Sequence, residues 1–197
     1  MAPTDSGWGR QFDPDRVALI ELRAWKAYYR RQALRLFALL VMANREQARV
    51  SWSSAIVAAF FLARGAVGFG RAAGDYDRFV ADIARGYRWL GLPAEVDADE
   101  VARRELRWWV VRREIAPAAG NAAGQAITAL YSALYRVPEH SVAEAGQLRG
   151  RAAELRDRGA LADPEGPTGQ GRAYWPDVAR LLRRSYRSLH AALAQGR

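Results

Sequence analysis

Cysteine is absent from this chain of 197 residues, and histidine occurs only at His140 and His190. The lack of cysteine excludes disulfides, thiol catalysis and zinc or iron–sulfur sites that depend on cysteine ligands. A protein without thiols suits a reducing compartment, so the sequence predicts a cytoplasmic location. No Glu-x-x-His motif occurs, which leaves the chain without the ligand pattern of ferritin-like di-metal bundles. We therefore predict no definite metal site, and no motif indicates a cofactor.

Lysine is almost as rare, because Lys26 is the only lysine among thirty basic residues and the others are arginine. Together with the high alanine content, this bias indicates a GC-rich bacterial genome rather than a function. The net charge of +9 is divided almost evenly between residues 1–96 and 97–197, so the chain has no basic tail. Diffuse positive charge favours anionic partners in general but is weak evidence for nucleic acid.

Long apolar runs are also missing. The two most apolar stretches, residues 33–43 and 55–63, are shorter than the roughly 20 residues that a membrane span needs. We predict that they are buried core helices and that the chain has no transmembrane segment, with a peripheral membrane role as the alternative. Residues 1–12 lack the basic-then-apolar order of a secretory signal and are predicted to form a disordered leader.

Strand signals are nearly absent, and apolar residues recur at helical spacing over most of the chain, which predicts an all-α fold. Residues 13–197 should form a single helical domain. A Gly/Pro-rich insert at 159–176 is predicted to be a mobile loop, with a functional lid as the alternative. The expected helices cover about 13–44, 51–66, 74–91, 97–117, 118–135, 139–158 and 176–194.

Local signals set several of these bounds. Asp13 is the expected N-cap of the first helix, and the glycine-rich stretch "RGAVGFG" should end the second. Pro117 should kink or break the helix that begins near Asp97. Gly120 and Gly124 lie one turn apart, so a neighbouring helix backbone could approach closely there.

One phrase of the sequence occurs twice. The segment "DPDRVALIELRAW" at 13–25 aligns without gaps with "DADEVARRELRWW" at 97–109, with eight identities in thirteen positions. A second match, "RGYRWL" at 85–90 with "RSYRSL" at 184–189, follows in the same order. We infer an internal duplication of a three-helix unit, with half-repeats at about 13–91 and 97–195. The expected architecture is a pseudo-two-fold bundle of six to seven helices.

The repeated phrase contains two unusual glutamates, Glu21 and Glu105. Their helical neighbours three and four residues away are Val, Ala or Trp, so neither carboxylate has a basic partner on its own helix. A carboxylate on an apolar helix face needs compensation. One hypothesis is a cross-helix partner, such as Arg23, Arg107, Arg112, a Tyr hydroxyl or a Trp indole. The other is a carboxylate pair across the pseudo-two-fold axis that binds a cation or transfers protons.

Aromatic residues accompany these glutamates and suggest a pocket. An aromatic-lined cavity with Glu and Arg at its floor would suit a mostly apolar ligand with a polar or anionic group. We predict that the protein binds a small amphiphilic ligand or a protein partner between its two halves. The alternative is an enzyme that uses Glu21 and Glu105 for metal-assisted or acid/base chemistry. The ligand-binding candidates are Trp25, Tyr28, Trp109, Arg112 and Tyr131.

The last predicted helix carries a basic face beside apolar positions. This pattern is first that of an amphipathic surface helix. It leaves a weaker functional alternative, in which the face binds nucleic acid or an acidic surface. The face consists of Arg180, Arg183, Arg184 and Arg187.

Overall fold

The computed structural model describes residues 8–114, 121–162 and 173–195. Within these ranges the chain is helical and contains no strand, which confirms the all-α class. There are eight α-helices, more than the six to seven expected from the sequence, and one short 3-10 helix at Tyr76–Phe79. The α-helices are α1 (Pro14–Tyr29), α2 (Ala33–Ala48), α3 (Trp52–Arg71), α4 (Val80–Trp89), α5 (Ala98–Glu114), α6 (Ala122–Tyr135), α7 (Glu139–Ala162) and α8 (Tyr174–Gln195).

The eight helices form a closed ring. Each helix packs mainly against the helices before and after it in the chain, and α8 packs against α1 to close the circle. Connections of only three residues join α1 to α2, α2 to α3 and α6 to α7, and such short links favour antiparallel neighbours. In a ring of this order, α1 and α5 lie opposite each other. The interior of the ring is therefore bounded by the two helices that carry the repeated phrase.

The first predicted helix, 13–44, is in fact two helices. The chain breaks at Arg30–Gln32, where Arg31 adopts a left-handed backbone conformation with a φ of 55°. No glycine or proline marks this turn, so the periodicity of the sequence did not reveal it. The reversal is stabilised by packing, because Ile20 and Ala27 of α1 form a small core cluster with Leu39 of α2.

The glycine-rich stretch "RGAVGFG" does not end the second predicted helix at 66, because α3 continues to Arg71. Gly65 and Gly68 lie inside α3 and allow a close approach by the next elements of the chain. A Cβ at Gly65 would stand 3.1 Å from Cγ1 of Ile83, and one at Gly68 would collide with the Phe79 ring. The third predicted helix is likewise divided, since the 3-10 turn precedes α4.

The two copies of the repeated phrase begin α1 and α5 in the same way. Asp13 is the N-cap of α1, and its carboxylate accepts hydrogen bonds from the backbone amides of Asp15 and Arg16. Asp97 precedes α5, and its carboxylate accepts from the amide of Asp99 at 2.8 Å. These contacts satisfy amides that a helix N-terminus leaves without partners.

The closest helix crossing joins α6 and α7 through small residues. A Cβ at Gly150 would stand 2.5 Å from the backbone nitrogen of Gly124, and one at Gly146 would stand 2.9 Å from the Gly124 carbonyl oxygen. The close approach predicted at Gly124 is thus confirmed, whereas Gly120 lies outside the described residues. The predicted break at Pro117 also falls outside them.

Part of the predicted leader is folded. Phe12 is only 2% exposed and belongs to the main core. The indole of Trp8 donates a hydrogen bond of 2.7 Å to the carbonyl of Leu90, at the end of α4. The description of 1–12 as disordered is therefore wrong for residues 8–12, because the buried Phe12 ring and the partly buried Trp8 ring anchor the segment. Of the predicted insert 159–176, α7 and α8 cover both ends, and residues 163–172 lie outside the described part.

Candidate ligand-binding cavity

The interior of the ring contains a cavity of about 490 Å³. All eight helices contribute lining side chains, and Trp8 of the N-terminal segment contributes another. Most of the wall is aromatic or aliphatic, including four of the seven tryptophans. Charged side chains occur in pairs or clusters on this wall. The four lining tryptophans are Trp8, Trp25, Trp108 and Trp109.

The first cluster joins Glu21 of α1 to Arg149 of α7. Arg149 donates from Nε at 2.9 Å and from Nη2 at 2.6 Å, both to Oε1 of Glu21. The Arg149 side chain is 14% exposed and that of Glu21 is 10% exposed, so the ion pair is largely removed from water. Burial alone would lower the pKa of the Arg149 guanidinium, but the Glu21 carboxylate and nearby phenols raise it well above its usual value. Arg149 is therefore a fixed cation.

Aromatic rings surround this ion pair. The guanidinium of Arg149 lies 5.1 Å from the ring centroid of Trp108 and 5.9 Å from that of Tyr131, which are cation–π distances. Burial raises the pKa of the Tyr186 hydroxyl well above its usual range, and the neighbouring Glu21 carboxylate adds to the shift. Burial also raises the pKa of Tyr131 to about 12. Both phenols are thus neutral hydrogen-bonding groups at physiological pH.

The second cluster is built around Glu105 of α5 and contains no cation in hydrogen-bond contact. Its Oε1 accepts from the indole Nε1 of Trp108 at 3.1 Å and of Trp109 at 2.9 Å, and its Oε2 accepts from the Tyr87 hydroxyl at 3.0 Å. Burial and the adjacent Glu105 carboxylate raise the pKa of Tyr87, which keeps this hydroxyl protonated as a donor. The Glu105 carboxylate thus has three neutral hydrogen-bond donors and no cation in direct contact among the described residues.

A third cluster centres on Arg112 of α5. Its guanidinium donates from Nε and Nη2 to the two carboxylate oxygens of Asp157, both at 2.9 Å, and also donates to the Tyr29 hydroxyl. It lies 5.3 Å from the ring of Trp25. Burial raises the pKa of Tyr29. Arg112 is therefore paired with Asp157 on α7, just as Arg149 is paired with Glu21 on α1.

Three buried polar atoms on the cavity-lining residues have no hydrogen-bond partner. They are Oε2 of Glu21, Nδ2 of Asn44 and the hydroxyl of Tyr131. The Ser185 hydroxyl, which is close to Tyr131, donates instead to the Ala145 carbonyl at 2.8 Å. Because buried polar groups are normally paired, these three atoms are the ones on the cavity wall that a polar ligand group could engage.

The exposed lining residues show where the cavity opens. Tyr28, at the C-terminal end of α1, is 47% exposed, and Arg113, near the end of α5, is exposed as well. Arg113 donates to the carbonyl oxygens of Phe69 and Ala72, at 2.7 and 2.9 Å, and so caps the end of α3. In contrast, Val17, the lining residue nearest the start of α1, is buried. The mouth therefore lies where α1, α3 and α5 end.

The structure brings the two glutamates and the predicted ligand-binding residues into this one cavity. Glu21, Glu105 and the five predicted ligand-binding residues line it. For Glu105, the Tyr87 hydroxyl on α4 is a cross-helix partner of the expected kind, whereas the two indoles belong to Trp108 and Trp109 of its own helix. For Glu21, none of the named arginines is the partner, and Arg149 takes that place. The lining set is completed by residues that the sequence analysis did not name, among them Trp8, Asn44, Gln47, Tyr87, Arg149, Asp157 and Tyr186.

A sequence signal for Arg149 does exist. Its helical neighbours are Ala145, Gly146, Ala152 and Ala153, so it lies on a face of small apolar residues, as the two glutamates do. Applying the same neighbour test to basic residues would have identified it. No comparable signal marks Trp8, because its position depends on the contact with Leu90.

The predicted basic face of α8 lies on the outside of the ring. Arg187 donates two hydrogen bonds to Asp15, at 2.8 and 2.7 Å, and these contacts lower the pKa of that carboxyl. Arg183 also approaches Asp15, at 3.8 Å, and Arg180 pairs with Asp177. Part of the face thus helps to hold α8 against α1.

Metal-ligating side chains are dispersed over the described ranges, which contain no group of three or more His, Asp or Glu residues placed to hold a metal ion. His140 is exposed at the start of α7, and His190 packs edge-on against Phe12 at 5.4 Å. No protein-family model, curated protein or solved structure matches this chain.

Proposed function

We propose that this protein binds a small amphiphilic molecule inside the helical ring, with the polar head of the ligand at the floor near Glu21, Tyr131 and Glu105. The observation that carries the proposal is the cavity of about 490 Å³ into which every helix projects side chains. Its volume falls within the range of about 300–1,000 Å³ that is typical of small-molecule sites.

The charges on the wall favour a particular head group. Arg149 and Arg112 already face Glu21 and Asp157, so neither is left to neutralise an anion. Glu105 receives hydrogen bonds only from neutral donors. Oε2 of Glu21 lacks a donor. Around the two glutamates these observations support a neutral or cationic head group that donates hydrogen bonds, rather than the anionic group considered from the sequence. Arg113, at the mouth, has backbone carbonyls as its partners.

The experiment is a comparison of decylamine, decanol and decanoate, each below its critical micelle concentration. Binding is followed by the fluorescence of the four cavity tryptophans. We expect saturable binding of the amine and the alcohol, and at least tenfold weaker binding of the carboxylate. Tightest binding of decanoate would contradict the proposed head group, and lack of saturable binding for all three would contradict the proposed site. Native mass spectrometry of the untagged protein tests for a co-purifying ligand.

A matched pair of variants locates the binding site. Ala43→Phe places a ring in the cavity from α2, because Ala43 is a lining residue. Ala81→Phe makes the same change at an exposed position of α4 that does not line the cavity. We expect Ala43→Phe to weaken binding by more than tenfold and Ala81→Phe to leave it unchanged. Equal effects would place the ligand elsewhere.

A second candidate is an enzyme that uses Glu21 and Glu105, because both carboxylates line one cavity. Mass spectrometry of the bound molecule after incubation distinguishes the two functions. An unchanged molecule supports binding, whereas a new product that disappears with Glu105→Gln supports catalysis. A protein partner between the halves has less support, since α8 packs against α1 and closes the ring. We also propose that the protein acts in the cytoplasm, on the basis of its lack of cysteine.

We further propose that the ring arose by duplication, with a repeat unit of four helices rather than three. The supporting observations are the 84-residue spacing of the repeated phrase, the similar aspartate caps of α1 and α5, and the positions of those helices on opposite sides of the ring. Glu21 with Trp25, and Glu105 with Trp109, line the same cavity. Superposition of α1–α4 on α5–α8 in a crystal structure should require a rotation near two-fold. Any other relation would argue against duplication.

A further inference from the structure

The outer surface of the α2–α3 hairpin, residues 31–71, is unusually apolar. The described part of the chain has ten exposed large hydrophobic residues, and six of them lie on these two helices. Three follow one another at helical spacing on α3, so they form a continuous stripe. We call this surface the hairpin face. Its apolar residues are Leu34, Met42, Trp52, Ile56, Phe60 and Val67.

The hairpin face also carries positive charge without exposed negative charge. Residues 31–71 contain six arginines and a single acidic residue, Glu46, which is buried. Arg35 and Arg71 are exposed, and the Arg45 guanidinium lies over the ring of Trp52 at 4.7 Å. This segment therefore has a net charge of +5 out of +9 for the whole chain. Arginine around exposed aromatic and aliphatic side chains is the composition of surfaces that bind anionic bilayers.

Helix α3 has further membrane-like properties. Among the described helices, α3 alone is long and apolar enough to cross a membrane. The core helix of a soluble protein can also meet this criterion of length and composition. However, only 28% of its most apolar stretch is buried, so it is not simply a core helix. The prediction that residues 33–43 and 55–63 are buried core helices is thus wrong for their outer surfaces. Their inner surfaces pack in the ring, which favours a helix lying on a membrane over one that spans it.

We propose that the hairpin face docks this protein reversibly onto an anionic lipid bilayer, with α3 parallel to the membrane surface. The apolar stripe enters the interface, and the arginines contact lipid phosphates. Helix α2 then has two functions, because its inner residues Leu36, Leu40 and Ala43 line the cavity while its outer surface faces lipid. The arrangement places the wall of the cavity next to a source of amphiphilic molecules.

The test is sedimentation of the full chain with vesicles of phosphatidylcholine, with and without phosphatidylglycerol. We expect binding only to the vesicles that contain phosphatidylglycerol, with a blue shift of tryptophan emission and release at high salt. Equal binding to both vesicle types, no binding to either, or retention at high salt would overturn the proposal.

Two pairs of variants assign the binding to the hairpin face. Ile56→Ser with Phe60→Ser changes its centre, and Trp89→Ser with Leu161→Ser changes two equally exposed apolar residues elsewhere. Arg35→Gln with Arg71→Gln removes two charges from the face, and Arg183→Gln with Arg184→Gln removes two from α8. A basic residue near an anionic surface contributes about 1 kcal/mol, so the first arginine pair should lower partitioning by at least about tenfold. The serine pair on the face should do the same, and both control pairs should bind as the unaltered protein does.

Two other outcomes would contradict the proposal. If the α8 variants lose binding and the hairpin variants keep it, α8 is the docking surface. If sedimentation velocity shows a dimer that Ile56→Ser with Phe60→Ser dissociates, the face is covered by a second copy of the chain instead. Circular dichroism confirms that each variant is folded. Vesicle binding is measured without added ligand, so failure of membrane docking and failure of the proposed cavity function are distinguished by separate experiments.

Discussion

Arg149 donates two hydrogen bonds to a single carboxylate oxygen of Glu21, although the residues are 128 positions apart in the chain. The contact joins α1 to α7, which are not neighbours in the ring, and so it crosses the interior. It neutralises one of the two glutamates in the repeated phrase. The other, Glu105, is held by Tyr87, Trp108 and Trp109 without a cation. Two equivalent positions in the sequence thus have different electrostatic environments.

Removal of one member of the Glu21–Arg149 pair should destabilise the fold strongly. Arg149→Met leaves the Glu21 carboxylate buried and unpaired, which costs about 3–5 kcal/mol. Glu21→Gln with Arg149→Met removes both charges and should recover most of that loss. The free energy of unfolding in urea is measured for the unaltered protein and for both variants. If the double variant is no more stable than Arg149→Met, the two residues are not energetically coupled.

The Tyr87 hydroxyl should contribute to stability through Glu105. Tyr87→Phe removes a hydrogen bond to a charged and half-buried carboxylate, and we expect a loss of about 1.5–3 kcal/mol in urea unfolding. Tyr28→Phe is the matched control, because its ring is half exposed, and a change within about 0.5 kcal/mol is expected there. Similar effects at both positions would mean that the Glu105 contact does not stabilise the protein.

Alanine at Gly150 should destabilise the α6–α7 crossing. The added Cβ would meet the backbone nitrogen of Gly124 at 2.5 Å, and backbone cannot move aside as a flexible side chain can. We expect a loss of about 1–3 kcal/mol in thermal or urea unfolding. Gly70→Ala is the control, since its Cβ meets only the Tyr28 hydroxyl at 3.7 Å, and it should be neutral or slightly stabilising. A stable Gly150→Ala variant would contradict the close crossing.

High pH should unfold the protein cooperatively. Burial raises the pKa of Tyr131 from about 10 in the unfolded chain to about 12, and burial also raises the pKa values of Tyr87 and Tyr186 well above their usual range. Groups with a raised pKa stabilise the folded state fully below pH 10, and this stability is lost as the pH rises from 10 to 12 and beyond. Tyrosinate absorbance and circular dichroism should therefore change together. Ionisation of all eight tyrosines before any loss of helix would contradict the burial of these phenols.

The elements that the sequence predicted correctly are those with local causes. Helical periodicity, the aspartate at the start of each repeated phrase, and proximity to Gly124 all depend on residues within a few positions. The break at Arg31 was missed because the sequence there contains neither glycine nor proline. A left-handed arginine is unfavourable by itself and is maintained by the packing of α2 on α1.

The candidate site was predicted in part. The neighbour test at helical spacing identified both glutamates as groups in need of partners. The predicted cross-helix tyrosine is found at Glu105, whereas the indoles that contact Glu105 come from its own helix. The partner of Glu21 was not predicted, because the list of candidates was taken from arginines near the repeated phrase. The position of Trp8 in the cavity could not be inferred from a segment whose composition resembles a disordered leader.

By itself, the sequence determined the helical class, the repeated phrase and the apolar setting of its two glutamates, because these follow from residue types and their spacing along one helix. Tertiary structure decided that the helices close into a ring around a cavity, that Glu21 meets Arg149 while Glu105 does not meet a cation, and that the apolar stretches of α2 and α3 keep one surface exposed. These outcomes depend on contacts between distant residues. These contacts contribute free energy only when the whole ring is packed, so no local sequence pattern predicts them.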